Sequence, residues 1–407
     1  MDGHRSDTAS VRRAERGDVD RLLEIHVAAF PDPRPIEVRR RVFLHNRLGG
    51  LEHLRVAHRG DELVGHAFSF PIGAWFGGRE VHGRAIASVG VAVECRGQGV
   101  ARALLDGIHA EALERGDAYT LLYPFRQGFY ARLGYASTSR HRVLTVSPRA
   151  IPREWADAAP GVVRRAAGHD RSEITRVYRE AARVGTGFIE RPDRSWEHDL
   201  LEERHHWLVL EQSGVLKGYL SLRLLQTEPH ARVRADVREV VAADDSVRRR
   251  LFAALAALGD QVGDVTFAMA DDDPLDWAFV DGDRDRGGTK EVEHAQGVTC
   301  TGPMIRLVSA KTALLARGYR NEGSVDLAID HEPAFTLEVS AGVAHLAAQP
   351  SGRVLQVSSQ ALASIAFGGL AVEDAARLGW LGASNADAVT EASRLFRSRA
   401  FFSLDGF

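Results

Sequence analysis

The sequence predicts a mixed α/β (α+β) chain: two copies of one α/β unit, then a smaller α+β unit. Three observations carry this reading. Short sequence elements recur in the same order; a strand, a glycine loop and a helix follow one another in the first copy alone; and the chain changes character from about Thr301. The expected units are residues 1–152, 153–300 and 301–407.

The length of 407 residues is too great for one ordinary domain. With 44% hydrophobic and 26% charged residues, the chain can bury several cores. A net charge of −3 gives no polycation signature, so nucleic acid is not an expected partner, although local acidic surface could attract a cation. Cys95 and Cys300 lie far apart, which argues against a disulfide scaffold or a structural zinc site and fits a reducing cytoplasm. The opening residues contain no apolar core of a signal peptide, and no apolar run approaches the roughly 18 residues of a membrane span. A cytoplasmic location is the expectation.

The repeat has three parts. Val11-Arg12-Arg13-Ala14 returns as Val163-Arg164-Arg165-Ala166, each before a helix-like stretch. Residues 56–65 align with 209–218, and both read as a hairpin with a polar, Gly-containing turn and a glycine, Gly65 or Gly218, in the second strand. Val91-Ala92-Val93-Glu94 aligns with Val241-Ala242-Ala243-Asp244, each ahead of a helix rich in Ala and Leu. The copies part at the next step. The first continues into Arg96-Gly97-Gln98-Gly99-Val100-Ala101, the second into Ser246-Val247-Arg248-Arg249-Arg250-Leu251, which has no glycine. The second copy therefore reads as a retained fold without the loop chemistry. Residues 281–288, rich in Asp and Gly, read as an exposed loop. Beyond Thr301, residues 325–329 and 334–339 read as strands, and 358–367 and 371–378 as helices.

The first-copy loop has the properties of a diphosphate site. Residues 85–93 are apolar and β-branched, as a buried strand requires. Behind the glycines, Val100, Leu104 and Ile108, with Leu105, Ala112 and Leu113 beside them, form the apolar stripe of a helix that Gly116 ends. The first turn of such a helix presents unpaired N–H groups and the positive end of its dipole, and glycines let phosphate oxygens approach them. Arg96 and Arg102 can add charge-assisted bonds. A lone GxG is commonly only a turn. Here the pattern is Arg/Gln-x-x-Gly-x-Gly/Ala, and it is neither the dinucleotide GxGxxG nor the P-loop. Downstream lies a strand at 120–123, then Phe129-Tyr130-Ala131-Arg132-Leu133-Gly134-Tyr135, an FYxxxGY segment.

The two motifs, in this order, resemble the GNAT superfamily of N-acetyltransferases. Over essentially its full length the chain resembles the Eis type: tandem GNAT-type folds, the second degenerate, plus a C-terminal sterol-carrier-protein-like α+β domain. The resemblance implies acetyl-CoA as acetyl donor and no metal. It implies a small cationic amine, of aminoglycoside or polyamine class, as acceptor. It makes Tyr130 the general acid and the Phe407 α-carboxylate the general base. Val89, Gly90 and Val91 would meet the pantetheine arm; Gly97, Gln98, Gly99, Val100, Ala101 and Arg102 would hold the pyrophosphate; Phe125 and Arg126 would flank the thioester. Phe30, Asp32, Tyr123 and Asp405 are candidate contacts to the acceptor, and a homohexamer is implied. The loop departs from the family pattern at Gly97-Gln98, and Gly406 stands where an acidic residue is common. Two other readings stay open: an enzyme acting on protein lysines, and a non-catalytic acyl-CoA or lipid binder. His26, His58, His66 and His82 lack ligand spacing, Cys95 has no partner base in sequence, and Glu203, His205 and His206 make no HExxH motif, so no metal is expected.

Overall fold

The computed structural model describes residues 9–200, 205–226, 231–279, 297–403 and 405–407. The loop expected at 281–288, Glu203 and Leu404 lie outside the described residues.

The repeat is visible as two seven-stranded sheets of matching order. The first runs Ser10–Arg13, Leu54–Arg59, Glu62–Phe76, Arg79–Val91, Tyr119–Leu122, Met304–Leu307, Ala136–Ser137. The second, from its corresponding edge, runs Val162–Arg165, His206–Gln212, Val215–Leu225, Val233–Ala242, Val262–Ala270, Arg140–Val146, Gly297–Thr301. Each sheet contains one parallel pair, Arg79–Val91 with Tyr119–Leu122 and Val233–Ala242 with Val262–Ala270. In each case an intervening helix, Val100–Glu114 or Asp245–Ala256, makes the crossover that parallel strands require. Even a local ion pair recurs: Arg12 meets Asp18 at 2.8 Å, and Arg164 meets Asp170 at 2.7 Å.

The sheets exchange strands. Arg140–Val146, within the expected first unit, pairs with Val262–Ala270 in the second sheet. Met304–Leu307, within the expected third, pairs with Tyr119–Leu122 in the first. The two acetyltransferase-like units are thus interlocked along their backbones.

The third unit is a five-stranded sheet, Val343–Ala347, Phe335–Ser340, Gly323–Ile329, Val354–Val357, Leu381–Ala383, with helices Ser359–Ala366, Val372–Arg377 and Ala386–Phe396. Both strands and both helices expected from the sequence are present, each with ends moved by one or two residues. Its core is continuous with the first unit's. Phe76 stacks edge-on against Phe367 at 4.8 Å, and Phe401 joins the same cluster. On the helix Val100–Glu114, Leu104, Leu105 and Ile108 are fully buried, worth about 1.5–3 kcal/mol each. Leu113 does not share that face. It is 61% exposed, which narrows the apolar stripe read from the sequence.

No helix among the described residues is long and apolar enough to cross a membrane.

Candidate active site

The strand Arg79–Val91 is bent at one point. It pairs with the preceding strand as Gly65↔Val91 and His66↔Gly90, then shifts to Phe68↔Ala87. The extra residue is absorbed near Ser88, whose φ of 49° is left-handed. On the other flank, parallel pairing with Tyr119–Leu122 stops at Ile86↔Leu122. From Ala87 to Val91 the strand therefore has an unpaired flank among the described strands, and Val89, Gly90 and Val91 line the opening. An extended amide-bearing chain can lie there and complete the sheet.

The opening leads to the glycine loop. After a turn at Val93–Cys95, Gly97 and Gly99 take φ of 73° and 84°, a region that favours glycine. Gly99 is the N-cap of Val100–Glu114 and supplies no side-chain cap, so the amides of the first turn, at Val100, Ala101 and Arg102, face outward without a covering side chain. The loop is exposed but tethered. The Arg59 guanidinium holds the Gln98 side chain and its carbonyl, the latter at 2.9 Å, while Gln98 donates to the Glu94 carbonyl at 2.8 Å. Arg96 reaches the Ala28 carbonyl at 3.1 Å. A carbonyl does not neutralise a guanidinium, so Arg96 keeps its charge beside the loop. Cys95 is a buried free thiol.

Tyr130 lies on Gln127–Ala131, in a buried cluster against which Val89 packs. It is 3% exposed and packs edge-on against Phe129, Phe125 and Tyr135 at 5.0, 5.8 and 5.9 Å. Its hydroxyl has no hydrogen-bond partner among the described residues, and burial pushes its pKa up to about 12. Phe125 is exposed, and Arg126 is the N-cap residue of that helix. Behind Tyr130 is a buried relay absent from the sequence reading: the Tyr135 hydroxyl meets His109 Nε2 at 2.9 Å and Thr120 Oγ1 at 2.8 Å.

The end of the chain returns to this place. The Phe407 ring sits 5.1 Å from that of Tyr123, and the Tyr123 hydroxyl donates to the Asp405 carbonyl at 2.7 Å. Arg47 donates to the Gly406 carbonyl. The Asp405 side chain does not face the opening: it is 5% exposed and bonded to Arg191 at 2.8 Å and Tyr178 at 3.0 Å. Arg191 in turn pairs with Glu239 at 2.6 Å. Arg47, Tyr178, Arg191 and Glu239 carry no local sequence signal, because each partner is distant in the chain. Phe30 and Asp32 follow the helix Val19–Ala29, and Phe30 is linked to Gly90 through His26 and His66. Phe30 packs on His26 at 4.9 Å, and Asp32 is held by Arg34 and by Arg39, the latter at 2.9 Å. Those arginines keep its carboxyl far below the usual range. The structure thus pairs Tyr123 with Phe407 and Phe125 with Tyr130, while Asp32 and Asp405 are both spent on ion pairs. Among the described residues no group of three or more His, Cys, Asp or Glu could hold a metal.

Comparison with known proteins agrees with this architecture. Acetyltransferase (GNAT) domain families match residues 10–138 and 187–307, and a sterol carrier protein domain family matches 310–402. N-acetyltransferases named Eis from Mycobacterium tuberculosis and Mycobacterium bovis are 25% identical over 364 residues, covering 85% of this chain and 84% of theirs. A GCN5-related N-acetyltransferase from Anabaena variabilis superposes with a TM-score of 0.83 at 21% identity, covering 98% of this chain and 100% of its own. Eis1 from Mycobacterium abscessus does so at 0.77 and 21%, with the same coverage. Tandem acetyltransferase folds, one with an open cofactor loop, define an acyl-CoA-dependent N-acetyltransferase of the GNAT superfamily. Within that superfamily the chain is similar to the Eis N-acetyltransferases over most of its length.

Proposed function

We propose that the protein transfers the acetyl group of acetyl-CoA to an amino group of a small, multiply cationic amine of the aminoglycoside or polyamine class. One observation carries the reading: the unpaired flank at Val89, Gly90 and Val91 precedes an uncapped helix N-terminus at Gly99, and Val89 packs against the cluster that holds Tyr130. The amides from Gly97 to Arg102 fit a pyrophosphate, and the flank from Val89 to Val91 fits the amide-bearing arm. Phe125 and Arg126 flank the reacting end.

Acetyl-CoA supplies an activated thioester; the chain supplies position and proton traffic. An alkylamine with a pKa near 10.4 arrives protonated and must lose that proton before it can attack. The Phe407 α-carboxylate is the assigned acceptor of that proton, and its charge draws the cation in. Its ordinary pKa near 3.5 makes it a weak base, so aromatic surroundings such as the Tyr123 ring help by desolvating it. Tyr130 holds its proton throughout the neutral range, with a free hydroxyl to donate to the leaving sulfur. An amide near Val91 is placed to stabilise developing charge on the carbonyl oxygen. A homohexamer belongs to the same proposal and rests on the family resemblance, and a cytoplasmic location rests on the two well-separated cysteines.

Thiol release from acetyl-CoA, measured against polyamines, aminoglycosides and lysine peptides, tests the assignment. Turnover is expected with the small multi-amines. A preference for peptides would move the enzyme to protein lysines, and no thiol release with any amine would reduce it to a binder.

A further inference from the structure

The second acetyltransferase unit keeps the shape of a cofactor site. Its strand Val233–Ala242 carries a register shift between Ser221↔Glu239 and Leu222↔Val237, and its parallel pairing ends at Val237↔Phe267. This is the counterpart of the bulge near Ser88. The matching glycines pair as Gly65↔Val91 and Gly218↔Ala242, and the parallel ladders end at Ile86 and Val237, so Glu239 holds the position of Ser88.

At this second bulge lies a buried charge network. Glu239 and Arg191 are each 1% exposed and joined by two bonds of 2.6 and 3.1 Å. Arg191 also donates to Asp405 at 2.8 Å and lies over the rings of Tyr178 and Trp196 at 4.4 and 4.7 Å. The Tyr178 hydroxyl lies 3.0 Å from the other Asp405 oxygen and 2.7 Å from the Ile189 carbonyl, and Arg47 stands 3.8 Å from the first Asp405 oxygen. Arg191 and Arg47 thus both face the Asp405 carboxylate. Ions this deeply buried are tolerated only when fully partnered.

Other contacts lay the tail along the second unit. The Phe402 amide donates to the Thr186 carbonyl at 2.9 Å. A side chain at Gly187 would come within 2.7 Å of the Phe401 ring. We propose that the degenerate unit acts as the socket of the first unit's active site: its vacated bulge grips Asp405 through Arg191, Glu239 and Tyr178, and so fixes Phe407 beside Tyr123. Asp405 and Arg191 are then positioning residues. Beyond Asp405 only Gly406 intervenes, with its carbonyl held by Arg47, so little slack separates the grip from Phe407.

The proposal rests on reading Phe407 as part of the active site, and its test separates the two. Asp405→Asn and Asp405→Ala both leave Arg191 paired with Glu239, so the buried arginine is not stranded; Tyr178→Phe is a milder third variant. Trypsin cleavage after the exposed Arg397 and Arg399, read by mass as loss of the tail fragment, reports the grip without reference to turnover. In the Asp405 variants cleavage is expected to quicken about 10-fold. Their kcat should fall by roughly 10²-fold, the scale of a small misplacement at the reacting centre. Their Kd for acetyl-CoA should stay within about threefold, which also shows an intact fold. Tyr178→Phe should move in the same direction by less. Cleavage at the wild-type rate in the Asp405 variants overturns the socket. Fast cleavage with full kcat keeps the grip and overturns the catalytic role of the tail.

Discussion

The Asp244 carboxylate accepts the Val247 amide at 3.0 Å, filling in the second unit the place that the first leaves open at Gly99. It also takes the Ser246 amide at 2.8 Å. A side-chain anion thus sits where a phosphate would, on the same helix terminus and dipole. Glycine loss is only half of why the second unit has no cofactor loop; the other half is that its amides are already satisfied. One acetyl-CoA per chain is the expected stoichiometry in calorimetric titration. Asp244→Ala should lower stability by about 1 kcal/mol without creating a second site.

Gly99→Glu should abolish measurable acetyl-CoA binding while the fold survives. A Cβ added at Gly99 meets no atom within 4 Å, so crowding at the backbone is not the obstacle. The losses come from the left-handed φ of 84° and from a carboxylate at the anion site. Gly99→Asn separates them, since Asn tolerates that backbone and adds no charge. Its affinity should fall only severalfold by the same titration, and equal losses in both variants would point to a side chain of any kind blocking the cofactor.

Three buried histidines should make the fold sensitive to mild acid. Burial lowers the pKa of His26 to about 4 and those of His66 and His109 to about 3, from an ordinary 6.5. Below pH 6.5 the unfolded chain takes up protons that the folded chain refuses, so stability is complete above that pH and declines as the pH falls toward 4. Thermal unfolding from pH 7.5 to 5 should show Tm falling steadily. His109→Gln should flatten the slope, whereas an unchanged slope would place the sensitivity elsewhere.

The sequence made the repeat legible because its signals are local. Val11 and Val163 start matching strands, and Gly97 and Gly99 mark the loop by backbone demands that glycine meets alone. The strand exchange was not legible, since the short segments Arg140–Val146 and Met304–Leu307 carry no record of which sheet they enter. The charge network was hidden for a related reason: Arg191 and Asp405 are 214 residues apart, and neither has a neighbour that betrays burial. Asp405 looked like free negative charge for a substrate because sequence gives charge without giving its partner.

The sharpest expectation concerns the chain's last residue. Appending a few residues after Phe407 would keep its ring against Tyr123 and the grip on Asp405, but turn its α-carboxylate into an amide. Deleting Phe407 would remove ring and position together. If that carboxylate accepts the amine's proton, both changes should lower kcat by roughly 10²–10⁴-fold, the usual contribution of a positioned base. Acetyl-CoA affinity should change far less, because its loop belongs to another part of the chain. Tyr130→Phe should lower kcat similarly by removing the donor at the leaving sulfur. With its pKa raised to about 12, Tyr130 should give the native enzyme no alkaline limb below about pH 10. The extended protein combined with Tyr130→Phe should not be multiplicatively worse, since both groups act on one transition state. Full kcat in the extended protein would exclude the carboxylate and leave the tail a structural role only.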